Sequence, residues 1–286
     1  MKRITLWTSA VAFVLNLSAS AQTTVPDIAA AELAKIETAM PAKATAKPKK
    51  ARKILVFWRC EGFFHGGGIA GGNKAIELMA TKTGAYTADV SREYEVFEAA
   101  NLAKYDAVVL NNTTGLKLSD AQQQALLAFV RSGKGVIGIH AATDNFNQWP
   151  DGAKMLGALF NGHPWGGGGT WAFKLDEPSH PLAKAFGGKG FKLKDEIYEM
   201  KEPYSRANCR VLVSLDLTDA ATGGKGTRAD KDFAVAWIRK EGEGRVFYCS
   251  LGHDTNVFQE PAILRFYLDG IQYALGDLAA DATPKP

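Results

Sequence analysis

The stretch Gly135-Val-Ile-Gly-Ile-His140-Ala-Ala-Thr-Asp144 decides how this chain is read. Val136, Ile137 and Ile139 are apolar and β-branched, with only Gly138 between them. That is the composition of a strand buried on both faces of a sheet. The run then stops at a histidine. Upstream, Leu118 to Arg131 reads as a helix: Ser119 stands as N-cap, Gln122 occupies the capping-box position, and Leu126, Leu127 and Val130 form an apolar face. Gly133 and Gly135 end the helix and turn the chain into the strand. In an open parallel sheet, ligands bind beyond the carboxyl ends of the strands, so His140 falls where such a fold places chemistry. The alternative is a core histidine satisfied by a backbone carbonyl.

Outward from this point the pattern repeats. Lys53 to Trp58 is an apolar run of strand length, Asn73 to Thr83 a helix, Tyr86 to Val90 a second strand and Asp106 to Leu110 a third. With the helix and strand already described, this half alternates as a doubly wound, mostly parallel α/β sheet. The second half is less regular. A loop from Asn145 to Pro150 carries Phe146 and Trp149 as exposed-type aromatics, and Ala153 to Phe160 is a short helix. Trp171 to Leu175, Val211 to Leu215, Phe233 to Ile238 and Gly244 to Ser250 are strands, and Pro261 to Leu275 is a closing amphipathic helix. Gly244 to Asp254 repeats the logic of His140: an apolar strand ending in His253-Asp254.

The amino terminus belongs to a different class. Met1-Lys2-Arg3 is basic, Ile4 to Leu17 is mostly apolar, and Ala19-Ser20-Ala21 is an A-x-A site. Together they predict a cleaved signal peptide over residues 1–21, hence a periplasmic or secreted protein with no membrane anchor after cleavage. Residues 22–52 are rich in Ala, Pro and Lys and read as a linker. Residues 29–40 could form a short helix, and 41–52 a basic, flexible spacer. The globular domain runs over 53–278, followed by a tail at 279–286. The net charge of +4 is concentrated in the leader and linker. The body is slightly acidic, which argues against a nucleic-acid partner. Cys60, Cys209 and Cys249 allow at most one disulfide, and buried thiols are the favoured reading.

Five histidines are present. His65, His140 and His253 follow apolar strands directly or within a few residues, and His163 lies in a Gly/Pro-rich loop. Asp144, Glu196 and Asp254 could join them at one sheet edge. Such a group suits acid–base work on a polar substrate, or a zinc-like ion held by His140, His163 and His253. His180, in Ser179-His180-Pro181 with Ser179 as N-cap, reads as structural. The glycine runs at 66–72 and 166–169 match no phosphate or dinucleotide loop; they read as mobile lids or close backbone approaches. Trp149, Trp165, Trp171 and Phe64 could form an aromatic platform for a sugar ring, with core packing as the alternative.

Taken in order, Gly62-Phe63-x-His65, Gly138 to Asp144, Trp149, Gly157, Phe160-Asn-Gly-His-Pro164, His180-Pro181, Asp195-Glu196-x-Tyr198, Ala236-Trp237 and Gly244 to Asp254 resemble the ThuA-like (trehalose utilisation) family over about Lys53 to Gly276. The resemblance implies a single flavodoxin-like domain similar to class I glutamine amidotransferases. It also implies no amidotransferase activity, because the elbow holds His140 in place of a cysteine. It further implies a role in sugar catabolism by way of keto-disaccharides. Phe64 stands where relatives often carry arginine, and Gly66-Gly67-Gly68 replaces a more polar run.

The expectation from these readings is an enzyme of hydrolase or isomerase type acting on a small-molecule carbohydrate. His140, His253 and Glu196 would be its catalytic groups, and His65, Asp144, Trp149, His163, Trp165, Tyr198 and Asp254 would contact substrate. A catalytically silent carbohydrate-binding or scaffold domain is the alternative, and a homo-oligomer is left open. Mass spectrometry of protein recovered from the cell envelope should find a mature amino terminus near Gln22; soluble cytosolic protein retaining Met1 would end the export reading.

Overall fold

A computed structural model describes residues 24–285; the signal-peptide reading lies outside them. In chain order the regular elements are α1 (Ala30–Ala39), β1 (Lys53–Phe57), α2 (Gly66–Thr83), β2 (Thr87–Ser91), α3 (Ala99–Leu102), β3 (Ala107–Asn111), α4 (Asp120–Arg131), β4 (Gly135–Ile139), α5 (Pro150–Leu156), β5 (Leu159–Phe160), β6 (Thr170–Leu175), β7 (Phe191–Lys194), β8 (Met200–Lys201), β9 (Arg210–Leu215), β10 (Ala234–Glu241), β11 (Gly244–Cys249) and α6 (Pro261–Ala274). Short 3-10 turns join them, at His140–Asp144 and Thr255–Gln259 among others.

Nine strands form one sheet in the order β2-β1-β3-β4-β11-β10-β9-β6-β7, and β5 pairs with β8 apart from it. The five strands from β2 to β11 run parallel, and β10, β9, β6 and β7 continue the sheet antiparallel. The result is one mixed α/β domain with a large, mostly parallel central sheet. Strand alternation divides the core between the two faces. Ile54, Val56, Val109, Ile137 and Ile139 face α2 and α6. Leu55, Phe57, Val108, Leu110 and Val136 face α4 and α5. Gly138 also lies toward α5, where a Cβ would meet Tyr248 at 2.8 Å. Ser119 caps α4 in a full capping box with Gln122, as the sequence predicts.

Several expectations are corrected. The first glycine run is no lid: it forms the first two turns of α2. A Cβ on Gly68 would stand 2.3 Å from the Gly252 carbonyl, and one on Gly72 2.6 Å from Asn111 Oδ1. Each glycine weakens a helix by roughly 1 kcal/mol, but only glycine lets α2 press this closely on the strand ends. The close-approach half of that reading holds. Residues 41–52 are not a free spacer. Gln272 is fully buried and Asp277 nearly so, and buried polar groups require partners. The backbone of Thr45 and Ala46 donates to Gln272 Oε1, and Arg52 pairs with Asp277 at 2.6 Å.

Phe146 and Trp149 are buried and pack edge to face, with ring centroids 4.8 Å apart. His180, rather than Ser179, caps its turn, its Nδ1 accepting from Leu182 N. All three cysteines are free thiols. Among the described residues no helix is long and apolar enough to cross a membrane.

Candidate functional site

Three neighbouring strands end the same way. β3 is followed by Asn112 (φ 54°), β4 by His140 (φ 47°), and β11, after Ser250 and Leu251, by Gly252 (φ 136°). Positive φ is unfavourable for side chains other than glycine and is held only where the surroundings enforce it. Here it turns each chain sharply at the carboxyl edge of the sheet. His65, the residue before α2, and Glu196, just past β7, complete the ring.

The imidazoles of His65, His140 and His253 stand at the corners of a nearly equilateral triangle, with centroids 4.9, 5.2 and 5.2 Å apart. One ligand atom from each, with one from Glu196, lies within 4.8 Å of all the others. Glu196 Oε1 is 3.8 Å from both His140 Nε2 and His253 Nε2. His140 is fully buried. Its Nδ1 donates to the Ser250 carbonyl at 2.7 Å, leaving Nε2 buried without a partner. His65 Nε2 meets the Tyr198 hydroxyl at 3.2 Å, and its Nδ1 is likewise unpartnered. His253 Nδ1 lies 3.1 Å from Asp254 Oδ2, out of line for a full hydrogen bond.

Burial, reinforced by the neighbouring imidazole of His253, pushes His65 down to about 3. Burial and His65 hold His140 well below its ordinary value. His253 goes the other way: burial opposes its charge, but Asp254 and Glu196 outweigh burial and raise it. Beneath the ring, the buried Asp195 carboxylate accepts from Gly252 N at 2.8 Å and His253 N at 3.1 Å. Burial raises it to about 7 against those donors. Asn112 Nδ2 reaches the Gly252 carbonyl, and Asn111 Nδ2 ties the strand end to the Ile69 carbonyl and Asn73 of α2. The sequence signal for this support is a buried strand that ends in two asparagines.

The pocket above has a volume of about 250 Å³ and is lined by Phe63, His65, Asp144, Phe160, His163, Glu196, Tyr198 and His253. His65, Asp144, His163, Glu196, Tyr198 and His253 therefore share one pocket. His140 is fully buried and lies behind His65 and His253, outside the lining, and Asp254 stands beside His253. Trp149 and Trp165 do not take part. Trp165 is fully buried against Phe233 and donates to the Thr222 carbonyl. Trp171 is also held inside, donating to the Asp195 carbonyl, and Phe64 packs edge-on to Trp58. The aromatics at the pocket are instead Tyr198, Phe160 and Phe63, the last 66% exposed. The donor set also differs from the expected trio. His163 is exposed at the rim with Nδ1 3.4 Å from Glu196 Oε2, and His65 takes the third corner.

Tetrahedral zinc with bonds of ~2.0–2.2 Å spaces its donors roughly 3.3–3.6 Å apart, so a set spread over up to 4.8 Å draws together by about 1 Å to hold one. The partners behind it also fit, since a ligating histidine commonly donates its other N–H to a carbonyl or carboxylate, as Ser250 and Asp254 are placed to accept.

The fold and site define an α/β protein with a three-histidine, one-carboxylate centre at the carboxyl edge of its sheet. The chain belongs to the ThuA family, described as trehalose utilisation, whose model matches residues 53–274. A putative ThuA-like protein from Bacteroides uniformis is 20% identical with a TM-score of 0.66, the match covering 80% of this chain and 94% of that one. A second, from Parabacteroides merdae, is 18% identical with a TM-score of 0.61, covering 82% and 98%. A Salmonella typhimurium protein is 13% identical at 0.51, covering 78% and 99%. At these identities the likeness speaks for the fold. No curated protein matches the sequence.

A histidine whose folded value is lowered contributes stability that is complete above its unfolded value and is lost as pH falls toward the folded one. For His65 that window runs from 6.5 down to about 3. The melting temperature of chelator-treated protein should therefore drop between pH 7 and pH 4, and drop less steeply in His65→Gln. Parallel curves for the two proteins would contradict the assignment.

Proposed function

We propose that this protein is an enzyme of sugar catabolism built around a divalent metal of zinc type, held by His65, His140, His253 and Glu196. Its substrate is a small carbohydrate, with trehalose-related or keto-disaccharides the class that the family suggests. The observation carrying this reading is the convergence of buried, partly unpartnered imidazole nitrogens on one carboxylate. A buried polar atom left without a partner costs about 1–3 kcal/mol, and an ion beside Glu196 removes that cost at His140 Nε2.

When bound, such an ion polarises a carbonyl or hydroxyl oxygen as a Lewis acid. The chain's own residues do the rest. The Ser250 carbonyl fixes the His140 tautomer, Asp254 orients His253, and Asp195 holds the backbone that carries His253. Tyr198 keeps His65 in place, and His163 at the rim stands beside Glu196, where it can meet a substrate hydroxyl. In this reading His140 and His253 are ligands, not the proton-handling bases of the metal-free alternative. Export remains part of the reading on residues 1–21 alone.

The test is turnover of trehalose and 3-keto-trehalose by the purified full-length mature chain, first stripped with chelator and then reloaded with zinc. Activity should vanish on stripping and return on reloading, and His140→Ala should lose both zinc and activity. Equal turnover with and without metal would defeat the metal reading; a zinc-loaded protein that binds these sugars and transforms none would favour the recognition-domain alternative.

A further inference from the structure

If three imidazoles and Glu196 hold an ion, the reaction still needs a group to move a proton, and the ligands are no longer free to do so. We infer that Asp144 is that group: the general acid–base carboxylate of the site. The inference rests on the proposed function, and its first support is position. Asp144 closes the 3-10 turn that His140 opens (His140–Asp144), so ligand and carboxylate belong to one rigid turn. Its backbone carbonyl accepts from Gly115 N at 3.0 Å, which fixes the turn to the end of β3. Its side chain lines the same 250 Å³ pocket as His65, Glu196 and His253.

The second support is elimination among the pocket's titratable groups. The Tyr198 hydroxyl is engaged by His65 Nε2, and burial pushes its phenol far above the range of a useful base. His163 stands exposed at the rim, beside Glu196 at 3.4 Å, and Asp254 faces His253 at 3.1 Å. Among the residues lining this pocket, Asp144 alone is a half-buried carboxylate with neither a side-chain hydrogen bond nor an ion pair. Burial raises it, opposed only by the more distant charge of Lys201. A carboxylate kept partly out of water with nothing to accept from is poised to receive a proton.

The step is hydrolytic. A water oxygen adds to the electrophilic sugar carbon while a carboxylate oxygen of Asp144 takes its proton. The bond from that carbon to the leaving oxygen breaks with the electron pair staying on the oxygen, and the Asp144 carboxylic acid returns the proton to it. One water is consumed, nothing is oxidised or reduced, and Asp144 ends as it began.

The experiment compares wild type, Asp144→Asn, Asp144→Ala and His163→Asn as zinc-loaded full-length mature chains. Zinc stoichiometry and affinity should be unchanged in the Asp144 variants. Their kcat should fall by about two to four orders of magnitude, the usual contribution of a positioned acid–base group, with KM little altered. Added formate should restore part of the activity of Asp144→Ala, which a binding or structural role would not allow. A raised KM with unchanged kcat would make Asp144 a substrate-binding residue and overturn the inference. So would joint loss of zinc, or a large kcat loss in His163→Asn while Asp144→Asn stays active. Wild type without zinc-dependent turnover would overturn it together with the proposed function; full activity in Asp144→Asn beside an active, zinc-dependent wild type would overturn it alone.

Discussion

Three imidazoles with centroids about 5 Å apart cannot all be protonated in a buried setting. Two unit charges at that distance repel by roughly 3 kcal/mol even at an effective dielectric of 20, before any desolvation is counted. Either His253 alone carries charge, beside Asp254 and Glu196, or the group shares a cation, and the surrounding structure follows from that constraint. His140 is given a carbonyl for its N–H and nothing for its other nitrogen. Its electrons point at Glu196 and at its two neighbours, which is the condition for donating to a metal and a poor one for a solitary core histidine.

Convergence of this kind demands backbone conformations that most residues avoid. Asn112 and His140 adopt left-handed φ, and Gly252 a positive value open only to glycine. These costs are met by the packing around them. Asp195 binds two consecutive N–H groups at the β11 end, the asparagine pair ties β3 to both α2 and the β11 loop, and the glycines of α2 let a helix sit where a side chain would not fit. Behind α2 lies α1 with Ile36 and Ala39 buried. A short helix from the segment that composition reads as a linker thus backs the helix that follows His65. The chain from sequence to function is continuous here: small residues permit close packing, close packing enforces unusual turns, and the turns aim the imidazoles.

The parallel half of the fold was legible because both-face burial writes itself as apolar runs, as in Lys53 to Phe57 and Val136 to Ile139, and because Ser119 and Gln122 mark a helix start without ambiguity. The strand-end histidines were legible for the same reason: an apolar run that stops at an imidazole has few other meanings in such a sheet. The antiparallel extension was harder to read. Its strands carry the same apolar signal, and their direction is decided by contacts such as the Gly242 turn between β10 and β11. Tryptophans misled because an indole packs equally well in a core or on a sugar. Trp165 found Phe233 and a carbonyl inside, while the exposed pocket aromatic proved to be Phe63. Which three of four histidines share a corner depended on where α2 begins, and its glycine-rich start hid that boundary.

The central claim is that the strand-end cluster is a metal centre, and anomalous diffraction at the zinc edge from crystals of the zinc-treated protein addresses it directly. The account predicts one strong peak per chain, ~2.0–2.2 Å from donor atoms of His65, His140, His253 and Glu196, with His163 outside that shell. No peak at this position, or a peak coordinated by His163 in place of His65, would contradict it.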